Sequence, residues 1–304
     1  MEEVEEQTML YHYTSFDSLK GICRGPSSDQ GLCLWATRFD CFGDKEEYKL
    51  GISVIKRLLP ELEKRLQPDR RIASSFEWDE IIGNETLPFP YVVSFTDKKD
   101  NEYMWEHYAC QGKGVAIALD DSRRIVNEYT KNYYLRTCLY EGDKSDAELF
   151  KEIEDEYFNA AFAALTGPRK ELALAFLSEN PQVFVAIVGR YLLSYVATRI
   201  KGERYSKEQE TRLIFAAPRQ EMIPMVDRFK EVFKQFSMDV DGYEAMMRRE
   251  RIRRRENGEA MYYQEVYLPG SVLKHVYVRD EGLIEQVSGF LRERGFEGVS
   301  VLKV

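Results

Sequence analysis

Short apolar runs alternate along this chain with longer stretches of helical period. Residues 10–13, 32–37, 90–95 and 115–119 are brief runs rich in Val, Ile, Leu, Phe and Tyr, bounded by Gly, Pro, Asp or Ser, and they predict strands. Residues 211–216, 263–268, 273–278 and 299–303 predict four more. Between them, 44–66 carries Ile52, Ile55, Leu58, Leu59 and Leu62 near helical spacing, with a break expected at Pro60. Residues 100–109 predict a short helix capped by Asp100 or Asn101, after which Gly112 and Gly114 permit a tight return into the next strand. Two larger blocks, 145–200 and 225–257, read as helical, the first interrupted at Gly167-Pro168 and Asn180-Pro181. Strands and helices come in groups without regular alternation. The order predicts an α+β fold: one elaborated domain over residues 1–304, with a mixed, mainly antiparallel central sheet and two helical insertions.

The stretch 181–200 is about as long as a membrane span, but Arg190 sits at its centre, so a buried helix is expected there and no membrane partner. The net charge of −9 argues against attraction to nucleic acid over the whole surface. One local exception is the run Arg248, Arg249, Arg251, Arg253, Arg254 and Arg255. Arginine clusters hold phosphates, yet a solvated helix end with Glu244, Glu250 and Glu256 as local partners accounts for it equally simply and is the favoured reading. Cys23, Cys33, Cys41, Cys110 and Cys138 form no CxxC pair, so neither a structural zinc site nor a disulfide framework is expected. With an acidic start, MEEVEEQTM, that lacks an export pattern, a reducing cytoplasm is the expected location.

Candidate chemistry gathers in four places. His12 lies on the first strand, pointing to the opposite face from Tyr11 and Tyr13, with Thr14 just beyond. Asp44 and Glu47 stand one helical turn apart, suited to a cation or ribose hydroxyls, or to a helix cap. Glu208 and Glu210 precede a strand, and period-two geometry would aim both, with Arg212, at one face. The segment 94–120 sets Ser94 at a strand end before Tyr103, Met104, Trp105, His107 and Tyr108. Met104 and Tyr108 are expected to pack, leaving Ser94 and Tyr103 or Trp105 for ligand.

The pieces LYHYTSFDSLKGI, LWATRFDCFGDKEEY, VSFTDKKDNEYMWEHYACQGKGVAIALD, YSKEQETRLIF and VYLPGSVLKHVYV resemble a widespread prokaryotic family of domains of unknown function. Its pattern joins an F-N-D-x-x-E turn, an S-F-S strand, M-W-x-x-Y-A and E-x-E-x-R, and the likeness runs from about Leu10 to Val278. Gly43 replaces the usual Asn, and Thr96 stands where a second Ser is common.

A second, more distant resemblance carries function. The ordered set His12, Ser94 and Glu210 is similar to the H/R, S/Y and E positions of ADP-ribosyltransferase folds, which bind NAD across a split sheet. That resemblance implies NAD consumption, with a macromolecular acceptor and a role as a toxin or defence effector. His12 and Thr14 would contact a ribose, and Ser94 would brace the nicotinamide ribose. Glu210 would stabilise the oxocarbenium-like charge, Glu208 would orient the acceptor, and Tyr103 or Trp105 would stack on nicotinamide. Two other classes stay open. His12, Asp44, Glu47 and Glu210 would build a metal site for a nuclease, although no dedicated metal motif is present. A non-catalytic sensor would hold a nucleotide or peptide in the same cleft.

Overall fold

The computed structural model describes residues 9–25, 31–44, 46–66, 89–120, 134–153, 192–217, 230–231, 250–255 and 257–304. Its strands are β1 (Leu10–Thr14), β2 (Leu32–Arg38), β3 (Phe89–Thr96), β4 (Val115–Leu119), β5 (Tyr134–Thr137), β6 (Leu139–Glu141), β7 (Ile200–Gly202), β8 (Glu210–Ala217), β9 (Arg251–Arg254), β10 (Ala260–Leu268), β11 (Leu273–Val278) and β12 (Ser300–Lys303). Helices α1 (Phe16–Ile22), α2 (Glu46–Leu66), α3 (Glu102–Tyr108) and α4 (Gly282–Glu293) accompany them. Ten strands form one sheet in which, among the described residues, only β11 and β12 pair in parallel. The fold is therefore α+β with a mixed, mostly antiparallel sheet, as the grouped pattern predicts.

The sheet divides at β3. One edge of β3 pairs with β8 along its whole length, and β5 adds beyond β8. The other edge is shared: β2 takes Tyr91 and Val92, while β1 takes only Thr96, opposite Tyr11. Two wings leave from that edge, β1-β4-β11-β12 and β2-β10-β9, and a fork opens between them along the middle of β3.

Alternation assigns the faces. Leu10, Val93, Phe95, Ile117, Leu213 and Phe215 point to one side, where Leu19 of α1 and Val287 and Leu291 of α4 complete the main core. Leu34, Ala36, Val266 and Leu268 of the second wing join the same core, so both wings close over it. On the other side, Trp105 and Met104 of α3 pack on Tyr11, Tyr13, Ala116 and Ala118. A separate apolar group, Ile52, Ile55 and Leu58 of α2 with Leu193, Val196 and Ile200, supports the short parallel pair β6-β7.

Several elements depart from expectation. Helix α2 runs through Pro60 without a break, because its buried Ile52, Ile55 and Leu58 stripe is anchored on residues 192–200. Its closest approach is at Gly51, where a Cβ would lie 2.1 Å from the Ala197 carbonyl oxygen, so only glycine lets the helix sit this deep. Of the first helical insertion, 146–153 is helical, Leu192–Val196 and Ala197–Arg199 are short π and 3₁₀ turns, and residues 154–191 lie outside the described set. The end of the second expected insertion is a strand rather than a helix. Arg251–Arg254 pairs antiparallel with β10, and the hairpin turns at Asn257-Gly258, where Gly258 has φ 84°. Asn-Gly beside an alternating partner strand outweighs the helical propensity of arginine. Arg248 and Arg249 lie outside the described residues. Helix α4, unforeseen, is held by Val287 and Leu291 at four-residue spacing and stops before Gly295, at φ 84°.

Candidate functional site

The two glutamates of the E-x-E motif converge, by different routes from the one the pattern suggests. Glu208 closes a 3₁₀ turn over Glu203–Glu208, Gln209 takes left-handed φ 46° and ψ 49°, and Glu210 opens β8. Glu210 and Arg212 share a strand face, whereas Glu208 is delivered by the turn. Both carboxylates meet Lys201, whose Nζ donates to Glu208 Oε2 at 2.5 Å and Glu210 Oε2 at 2.7 Å. Arg212 grips Glu210 with two donors, Nε to Oε1 at 2.9 Å and Nη2 to Oε2 at 3.0 Å. Glu47 reaches in from α2, with Oε1 2.5 Å from Arg212 Nη2 and Oε2 3.9 Å from Lys201. All five side chains are buried, Arg212 at 1 % exposure.

The surroundings complete the network. Arg212 Nη1 donates to the Thr198 carbonyl, and Phe39 and Phe42 rings lie 5.5 and 5.4 Å from its guanidinium. Tyr140 Oη accepts the Glu210 backbone N–H at 2.8 Å, and Tyr108 Oη donates to Glu208 Oε1 at 2.7 Å. Asn101 caps α3 by accepting the Met104 N–H and also donates to the Lys207 carbonyl at 2.7 Å, so the M-W helix and the E-x-E turn are clamped together. Burial would push the Glu210 carboxyl up, but Arg212 and Lys201 outweigh it and hold the group well below the usual carboxylate range. Burial acts to lower Lys201, and its carboxylate partners, Glu210 foremost, raise it instead. Burial raises the neighbouring Cys138 thiol, whose Sγ lies 3.7 Å from Glu210 Oε2.

The histidine belongs elsewhere. Ser94 pairs with Arg212 and so shares the Glu210 face, but His12 pairs with Ile117 and turns to the main-core side, edge-on to Phe95 at 5.8 Å. Its Nδ1 lies 2.9 Å from the Ser94 carbonyl; a carbonyl only accepts, so Nδ1 carries the proton, and burial lowers the ring's pKa toward the neutral form. His12 thus bridges the fork where β1 and β3 part, and does not join Glu210 in one cleft. The expectation of a single His12, Ser94 and Glu210 cleft is corrected by strand parity, which puts the ring and the carboxylate on opposite faces. Thr14, half-buried, follows His12 on its face.

Other expectations are revised by burial. Trp105 is fully buried, edge-on to Tyr13 at 5.2 Å with its N–H on the Lys99 carbonyl, so it has no free ring face for nicotinamide. Tyr103 is half-buried and stacks on His107 at 4.0 Å. Met104 packs as expected, whereas Tyr108 is 46 % exposed and works through its hydroxyl. Asp44 accepts the Glu46 N–H just before α2 and pairs with Arg204 at 2.6 Å and Tyr205 at 2.9 Å, so its carboxylate is engaged within the protein. Glu47 forms no capping box, because its side chain turns inward. Among the described residues no three His, Cys, Asp or Glu side chains are grouped to hold a metal ion. The acids that do converge enclose an ammonium and a guanidinium instead. Lys201 and Tyr140 were not foreseen; the only signal for Lys201 is a cation beside Gly202 a few residues ahead of the E-x-E motif.

All five cysteines are free thiols, four of them buried. No helix among the described residues is long and apolar enough to cross a membrane. No curated protein and no solved structure matches the chain. Residues 104–213, which carry Trp105, Tyr108, Lys201, Glu208, Glu210 and Arg212 but neither His12 nor Ser94, match the model of a family described as protein of unknown function, DUF2971.

Proposed function

We propose that the chain binds NAD at the fork of its split sheet, in the manner of ADP-ribosyltransferase folds. One observation carries the reading: β1 and β3 share a single pair, His12 spans the gap to the Ser94 carbonyl, and the E-x-E motif begins β8 opposite Thr96, at that same end of β3. A fork in a sheet leaves backbone donors and acceptors without strand partners, which suits a ligand with many polar atoms. Transfer chemistry asks more of the site. For Glu210 to stabilise an oxocarbenium-like centre, its carboxylate has to leave the two cations that now neutralise it.

A second reading, a nucleotide receptor without turnover, is favoured by that same ion-pair network. Calorimetry with NAD tests binding, and nicotinamide release tests turnover. Binding with release that Glu210→Gln abolishes, in a variant whose melting curve shows it folded, supports the transferase. Binding without release supports the receptor. Absence of NAD binding by the full chain would overturn the transferase, and absence of binding to ATP and GTP as well would overturn the receptor.

A further inference from the structure

The arginine run, moved from a helix to a strand, acquires neighbours that the sequence does not display. Across β9 and β10, Arg251 pairs with Tyr263 and Arg253 with Met261; across β10 and β2, Tyr263 pairs with Thr37 and Glu265 with Trp35. Paired residues share a face, so Arg251, Arg253, Tyr263, Glu265 and Trp35 all lie on the side turned away from the main core, with Arg251, Arg253 and Trp35 exposed and Tyr263 buried beneath them. Val266, Leu268, Leu34 and Ala36 point the other way, into the main core. Trp35 is 42 % exposed although it packs on the Tyr263 ring, centroids 4.5 Å apart and planes tilted by 30°, and the Arg253 guanidinium lies 5.3 Å from its ring centre. Arg24 joins the same surface, 5.3 Å over the Tyr267 ring.

Charge decides the partner. Among the described residues Glu265 is the carboxylate on this surface, and it is engaged by Arg24 at 3.0 Å and Arg251 at 3.2 Å. Three guanidiniums therefore face one carboxylate, and Arg253 has no carboxylate partner among the described residues. An acidic protein with a net charge of −9 keeps a locally cationic, aromatic strip here. An anionic, flat-ringed polymer matches it: aromatic rings stack on bases and guanidiniums neutralise the phosphates between them. A duplex hides its base faces and offers nothing for Trp35 to stack on.

We infer that the outward face of the β2-β10-β9 wing binds single-stranded nucleic acid, with Trp35 as the stacking platform and Arg251 and Arg253 on the backbone. Glu210 takes no part, so the inference stands or falls apart from NAD binding. The test is fluorescence anisotropy of the full chain with labelled oligothymidine and oligouridine of about 12 nucleotides, and with a duplex of equal length. Both single strands, or one of them, are expected to bind more tightly than the duplex. Trp35→Ala should weaken binding at least about fivefold, Trp35→Phe should recover most of it, and Arg253→Ala should flatten the dependence of log affinity on log salt by about 0.7. Trp35 is exposed enough for its variants to fold, and a melting curve checks this. No binding at about 50 mM salt, a preference for duplex, or binding indifferent to Trp35→Ala would each overturn the inference.

Discussion

The buried network around Glu210 and the outer face around Trp35 are built from the same side chains, arginine, glutamate and aromatic rings, and solvent alone separates what they do. In the first, Arg212 and Glu210 are 1 and 3 % exposed and each hydrogen bond is held in a low-dielectric interior. Removing one partner leaves an uncompensated buried charge. In the second, Arg24 and Arg251 are 45 and 58 % exposed, and water and salt screen their pairing with Glu265. The buried cluster ties α2, β7, the 3₁₀ turn and β8 into one unit. The exposed strip holds nothing together and is free to meet a partner.

The comparison is broken most severely by Arg212→Met, which leaves Lys201 alone among three carboxylates and takes from Glu47 its close partner. It should cost about 3–5 kcal/mol, read as a lowered urea midpoint; a loss under about 1 kcal/mol would show that the network is no keystone. Acid comes next. The folded Glu210 is held below its ordinary value of 4.5, so its contribution is present above that pH and drains away as pH falls below it. Lys201 is raised above its ordinary 10.5, so its contribution is intact below that pH and is lost only as pH climbs beyond it. These two groups leave stability flat across neutrality, while His12, held neutral by burial, starts a loss as pH falls below its ordinary 6.5 and Glu210 deepens it below 4.5; Arg212→Met should shrink only the deeper part of that acid limb. Unfolding followed at pH 7 and pH 3 reads both.

Asn101→Ala removes a helix cap together with the clamp on the E-x-E turn. A loss of about 1–2 kcal/mol is expected, with faster amide exchange over residues 203–209 than any other cap variant produces. On the outer face the effects are smaller. Trp35→Ala should lose about 1 kcal/mol of stacking, and Arg251→Ala should change stability by no more than about 0.5 kcal/mol. An Arg251→Ala loss approaching that of Arg212→Met would erase the distinction between the two regions.

How much of this was legible depends on range. Strands such as β1, β3, β4 and β8 follow from short β-branched and aromatic runs, and α3 follows from Asn101 and the helix formers behind it, because both signals are local. Strand β9 was missed although Asn257-Gly258 marks its turn, since a run of arginines reads as helix when its partner is ignored. Glu210 and Arg212 on one face came from parity alone. Lys201 was illegible: its partners stand seven and nine residues on, and only the 3₁₀ turn Glu203–Glu208 and the left-handed Gln209 fold them back to within 2.7 Å of it.

By itself the sequence determined the α+β class, the places of β1, β2, β3, β4, β8, β10, β11 and β12, the helix α3 and the E-x-E motif's place at the head of β8. These rest on period and propensity, which act over a few residues. Tertiary structure alone decided that the sheet forks at β3, that His12 and Glu210 lie on opposite sides of it, that the glutamates are neutralised in the interior, and that the arginines line an exposed aromatic face. Each of those depends on which distant strands pair and on what water can reach, and neither quantity is written in any local stretch of the chain.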